Sequence, residues 1–192
     1  MKSDMRLILT KRLLREGLLR CLEKKPIEKI TIHELCEESG INRTTFYHHY
    51  QAPIQILHEM ACNYADQLQK IFEESMKSNP GDYQKAVEVC CGYLYGKKAE
   101  VKVLFSENAG RHLEKAAIDI MDRMMKTQTG RNIDPAEKRL FINASGMAAY
   151  GLLICWLTED IQKTSHDIVM IMDRIFGVKT DHSAFEEMFG QP

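Results

Sequence analysis

The chain has 192 residues, 44% hydrophobic and 28% charged, with a net charge of −1. That is an ordinary globular balance, long enough for one well-filled core or a small module attached to a larger one. Its six cysteines form no C-x-x-C pair, which excludes a disulfide framework and points to reduced thiols in a cytoplasmic protein. The near-neutral total hides an asymmetry: residues 1–25 carry eight Lys/Arg against three Asp/Glu, and residues 1–60 carry ten against eight. A locally basic N-terminal part is suited to a polyanionic partner.

Helical periodicity runs through nearly the whole sequence. Leu13, Leu14, Gly17, Leu18, Cys21 and Leu22 recur at helical spacing with basic residues on the other faces. No signal peptide is read here, because Lys11, Arg12 and Arg15 interrupt the first apolar run. Pro26 ends this helix, since proline disfavours helical geometry in the residue before it. The stretch "TIHE", Thr31 to Glu34, matches a capping box, so it predicts a short second helix with Ile32, Leu35 and Cys36 inward. Gly40 supplies its left-handed exit. Asn42 caps a third short helix with Phe46 and Tyr50 inward, which completes a helix-turn-helix pattern. A long amphipathic helix is expected from about Ile54, then a turn at "SNPGD", a helix near 83–95, and helical pieces near 99–107 and 110–126. Asp134, Pro135 and Glu137 mark a strong helix start, and that helix is expected to run to about Glu159. Residues 140–158 carry no charge, close to the length of a membrane span. A buried helix is the better reading, because the segment holds Asn143, Ser145 and several Ala and Gly residues. A last helix, capped by Thr164 or Ser165, is expected to end near Gly177.

The segment "GINRTTFYHHY", Gly40 to Tyr50, concentrates hydrogen-bonding side chains. His48 and His49 diverge by about 100° on a helix, so they cannot jointly hold a metal. No nucleophile or orienting group accompanies them for catalysis. A short helix offering Arg, Thr, Tyr and His to base edges and phosphates in a major groove accounts best for the composition.

The run "TKRLLREGLLRCLEKKP…TIHELCEESGINRTTFYHHY" resembles the N-terminal domain of the tetracycline-repressor-like (TetR) family over about residues 8–57. The resemblance implies an all-α fold, with a three-helix DNA-binding domain in residues 1–52 and a helical ligand-binding and dimerisation domain in residues 53–192. It implies that Thr31 touches phosphate and that Arg43 and Thr44 reach bases, with His48 near the base edges. Thr45, Tyr47 and His49 would hold phosphates, with help from Lys11. One departure stands out: Pro53 occupies the site where the family often has a lysine, which removes a charge and a backbone donor.

Specific binding by so small a head calls for two half-sites and hence a homodimer on palindromic double-stranded DNA. Ala144, Ala148 and Gly151 form a face of small residues, with Phe141, Leu152 and Trp156 supplying bulk and Ile168, Ile171, Met172 and Ile175 completing a four-helix interface. The resemblance also implies a small-molecule pocket, for which Met60, Tyr64, Tyr93, Phe105, His112, Met121 and Met125 are the candidates. Cys90 and Cys91 point apart on a helix and have no activating cation beside them, so they are read as buried small hydrophobes. No metal or cofactor is expected, and no enzyme: "GYLYGKKAE" lacks phosphate-loop spacing and no nucleophile–base pair is evident. The expected function is a sequence-specific transcriptional regulator, a repressor released by a small-molecule effector. The alternative is an architectural or ligand-independent DNA binder.

Overall fold

The computed structural model describes residues 2–109, 118, 119, 122, 134–159 and 161–176, and among them all regular structure is helical. Helix α1 spans Lys2–Leu22, α2 Ile32–Ser39, α3 Arg43–Tyr47, α4 Pro53–Ser78, α5 Tyr83–Gly96 and α6 Lys98–Leu104. After these come α7, Pro135–Thr158, and α8, Ser165–Phe176. Two short 3-10 turns, Ile27–Lys29 and Glu107–Ala109, were not foreseen from sequence. The expected helix near 110–126 lies mostly outside the described residues.

The helix starts follow from local chemistry. The Thr31 hydroxyl accepts from the Glu34 amide at 3.2 Å, and the Glu34 carboxylate accepts from the Thr31 amide at 3.0 Å, so both halves of the capping box form. Asp134 accepts from the Ala136 and Glu137 amides ahead of α7. Thr164, rather than Ser165, caps α8, accepting from the Asp167 amide at 3.2 Å while Asp167 accepts from the Thr164 amide at 2.9 Å. Each such cap stabilises its helix by about 1 kcal/mol.

The chain forms two compact units. One is Met1–Asn63 with Ala99–Leu113, and the other is Tyr64–Lys98 with Glu114–Pro192. The division therefore falls within α4, whereas the sequence alone suggested a boundary at its start. In the first unit, Leu14, Leu18, Leu22, Leu35, Phe46, Ile56 and Leu57 are fully buried. Asn108 donates to the Leu22 carbonyl at 2.7 Å, satisfying an acceptor that the end of α1 would otherwise leave open.

In the second unit, α5 packs on α8 and α7 also meets α8. Trp156 is 1% exposed, its ring stacks on Tyr95 at 5.2 Å, and its indole donates to the Lys163 carbonyl at 2.9 Å. Among the described residues α7 is the one helix long and apolar enough to cross a membrane by length and composition. Ile142, Ser145, Trp156 and Leu157 on it are buried within this unit, so part of its apolar surface serves an internal core.

Candidate nucleic-acid interface

Helix α3 has five residues, too few to be stable alone, so its position comes from its surroundings. Three devices hold it. Gly40, at φ 68°, turns the chain out of α2, and the Ile41 amide closes on the Cys36 carbonyl at 3.2 Å. The Asn42 side chain accepts from the Thr45 amide at 2.7 Å. Phe46 is fully buried and Tyr50 nearly so, their ring centres 6.1 Å apart, which pins the helix to the first unit through its apolar side.

The opposite side of α3 is left to solvent. Arg43, Thr44, Tyr47, His48 and His49 are exposed and Thr45 is half-exposed. Among the described residues, no intramolecular hydrogen bond or ion pair engages these six side chains, and α3 carries no acid in its first turn. Tyr47 is 60% exposed, its ring edge resting on Phe46 at 5.7 Å. A row of unengaged side chains on the exposed face of a capped, core-anchored helix suits a groove-reading element.

The two other expected contact residues are placed differently. The Thr31 hydroxyl is already committed, accepting from the Glu34 amide and donating to the Glu34 carboxylate at 2.9 Å. A hydrogen bond from Lys25, with the Thr31 amide and hydroxyl adding, holds the Glu34 carboxyl down to about 2. Lys11 is half-buried and donates to Glu59 at 2.9 Å. Arg15 and the Tyr50 hydroxyl donate to the same carboxylate at 2.6 and 3.0 Å. Burial works against the charge on Glu59, but these three hydrogen bonds outweigh it and keep the carboxyl below its usual value. Burial and the Glu59 contact push the Tyr50 phenol well up.

Two of the three acids of α2, Glu34 and Glu38, are engaged by lysine or arginine, while Glu37 is exposed. Glu38 accepts from Arg20 at 3.3 Å and also from Lys24, which ties α2 to the end of α1. Pro53 is the first residue of α4, as expected, and is buried. Close by, Gln55 reaches back and accepts from the Gln51 amide at 2.7 Å, so a further backbone donor at this helix start is already engaged.

The remaining candidates separate by unit. Met60 is 2% exposed and Phe105 half-buried in the first unit, while the Tyr64 and Tyr93 rings lie 6.2 Å apart in the second. His112, Met121 and Met125 lie outside the described residues. A cleft of about 400 Å³ exists elsewhere, between α1 and α2, lined by Cys21, Lys24, Lys25, Glu34, Glu37 and Glu38. Cys90 and Cys91 are buried, and desolvation pushes both thiols up to about 12, as suits core residues.

Of the expected dimer residues, Ala144, Gly151 and Ile175 are exposed, while Phe141, Ala148, Leu152 and Ile171 are half-buried. Trp156, Ile168 and Met172 are buried within the second unit. Sequence reasoning overlooked Leu140, 72% exposed, and Met147, 51% exposed, which share the face of Ala144 and Gly151. It also overlooked Glu59. Its partners Lys11 and Arg15 lie 48 and 44 residues away, and it falls off the apolar stripe of α4, so no local signal marked it.

The first unit is thus a helix-turn-helix head of the kind used by DNA-binding regulators. The family "Transcriptional regulator C-terminal region" (TetR_C_8) matches residues 81–177. The chain belongs to the TetR family of transcriptional regulators. Among solved structures, it is similar to the dihydroxyacetone kinase operon activator DhaS, with a TM-score of 0.56 and 13% identity over 96% of this chain and 99% of that one. It is also similar to the TetR family transcriptional regulator PfmR from Thermus thermophilus, with a TM-score of 0.50 and 16% identity over 86% and 96%. No curated protein matches the sequence.

Proposed function

We propose that this regulator is a cytoplasmic, sequence-specific repressor that binds a palindromic operator as a homodimer and is released by a small-molecule effector. Residues 1–52 act as the reading head and 53–192 as the regulatory and dimerisation part. The reading is carried by one observation: the unengaged, exposed row of Arg43, Thr44, Tyr47 and His48 on a helix seated through Phe46. Arg43 and Thr44 read base edges, with His48 beside them, and Thr45, Tyr47 and His49 hold phosphates. The second copy docks on the face of α7 that carries Leu140, Ala144, Met147 and Gly151, continued by Ile175 of α8. That face is apolar and its small residues permit close helix approach. An effector that favours a dimer geometry misfitting the operator needs only about 1.4 kcal/mol of differential affinity to lower occupancy tenfold.

The test is recovery of sheared genomic DNA by the purified full chain at about 0.15 M salt, beside an Arg43→Ala control. A short palindrome recovered by the wild type alone is the expected result. Uniform recovery of all fragments would make the protein an architectural binder instead. A reporter driven from the recovered site then fixes the sign of regulation. Lower output with the protein present is expected, and higher output would place it beside its structural neighbour DhaS, an operon activator.

A further inference from the structure

Glu59 joins three segments of the first unit. Its Oε2 accepts from Lys11 of α1 at 2.9 Å and from the Tyr50 hydroxyl, just past α3, at 3.0 Å. Its Oε1 accepts from Arg15 at 2.6 Å. Lys11 also lies over the Tyr50 ring, 5.8 Å from its centre, at the corner where α3 gives way to α4. The Lys11 side chain is 35% exposed, so the pair is not sealed from solvent.

We propose that Glu59 is a positioning residue that withholds Lys11 from DNA phosphate, so that the α1 cation does not contribute to backbone binding while this carboxylate is seated. The inference rests on the DNA-reading role of α3 proposed above. A carboxylate and a phosphate compete for the same ammonium, and a partly exposed pair is weak enough to be exchanged. Arg15, with its Nη2 on the same carboxylate and its Nε buried, stays behind as the structural partner. Glu59 sits on the second turn of α4, and α4 continues through Ser78 into the second unit. Any event that shifts the first turns of α4 therefore changes the freedom of Lys11, and with it the electrostatic share of DNA affinity.

The experiment measures the salt dependence of binding to a mixed-sequence duplex by the full chain carrying Lys11→Ala, Glu59→Gln or both. Each additional phosphate contact steepens the log–log slope by about 0.9, so two freed lysines per dimer add about 1.8, roughly a twelvefold larger loss of affinity between about 0.05 and 0.2 M salt. The wild type and Lys11→Ala are expected to share one slope. Glu59→Gln is expected to steepen it, and adding Lys11→Ala to Glu59→Gln to restore it. A merely structural Glu59 would lower the melting temperature without making the slope depend on Lys11. Equal slopes for Glu59→Gln and the wild type overturn the proposal. So does a slope flattened by Lys11→Ala alone, a measurement that decides the matter even if Glu59→Gln does not fold. Failure of the wild type to bind any duplex at low salt would instead remove the underlying DNA-reading role.

Discussion

Gly17 lies in the interior of α1, where it meets α2 at Ser39. A Cβ built there would sit 2.7 Å from the Ser39 Cβ and 3.0 Å from its Cα and amide nitrogen. None of these atoms is the far end of a flexible chain, and Ser39 is 5% exposed, so α2 itself would have to shift. Gly17→Ala gains about 0.8–1 kcal/mol of helix propensity. Against this stands an overpacking cost of about 1–3 kcal/mol. The balance is about 1 kcal/mol of destabilisation, a fall of about 2–4 °C in melting temperature for a chain of this size. Because Ser39 directly precedes the Gly40 turn, the displacement also reaches α3, and DNA affinity should fall by more than the stability change. Gly92→Ala is the control. It lies inside α5, is exposed, and its new Cβ would meet only the Ser165 hydroxyl at an ordinary 3.7 Å. Thermal melts followed by circular dichroism should show Gly92→Ala rising and Gly17→Ala falling. Equal increases would refute the claim that helices α1 and α2 touch too closely to admit a methyl group.

Asn42→Ala removes the α3 cap and should weaken DNA binding by about 1 kcal/mol in a titration, with a smaller change in melting temperature; an effect confined to stability would contradict this. Cys62 and Cys155 are exposed in the single chain, but Cys155 lies on the stripe proposed as the dimer seam, so Cys62 should react first with a thiol reagent at pH 8. At a pKa of about 12, Cys90 and Cys91 would be thiolate in roughly one molecule in ten thousand, and their fast modification would contradict the burial described. The folded state depresses the Glu34 carboxyl from 4.5 to about 2, so its stabilisation is complete above pH 4.5 and is lost as pH falls towards 2. Glu34→Gln should therefore flatten the acid limb of stability against pH, and an unchanged limb would show that neither the Lys25 bond nor the capping box contributes there.

What the sequence made legible is what local chemistry dictates. The box at Thr31 and Glu34, the left-handed Gly40, the Asn42 cap and the Asp134-Pro135 start each depend on residues within four positions, and each formed as expected. The burial of Phe46 and Tyr50 followed from helical spacing alone. Long-range pairings were not legible. Glu59 meets Lys11 across 48 residues and Asn108 meets Leu22 across 86, and no periodic pattern announces either contact. For the same reason the resemblance assigned Lys11 to phosphate without showing that a carboxylate already holds it. Thr31 illustrates a subtler gap, because the capping motif that identified the helix start also consumes the hydroxyl expected to face DNA.

The charge-free stretch of α7 illustrates why composition alone misleads. A helix apolar on all sides is normally enclosed by its own domain or by lipid. Here one side, with Ile142, Ser145, Trp156 and Leu157, is enclosed, while Leu140, Ala144, Met147, Gly151 and Cys155 lie at successive spacings of three or four and are exposed. A second copy seated on that stripe accounts for both faces without a membrane. Met147→Glu tests this. It lies at the centre of the stripe and is 51% exposed in the single chain, so the carboxylate costs the isolated fold almost nothing. In a dimer it would be desolvated and would face an apolar partner, a penalty of several kcal/mol for an unpaired buried charge. Sedimentation should therefore show a dimer for the wild type and a monomer with unchanged helical content for the variant. Operator affinity should drop with the loss of the second half-site. A Met147→Glu protein that still sedimented as a dimer would place the two-fold contact on another face, and the exposed apolar row of α7 would then need a different occupant.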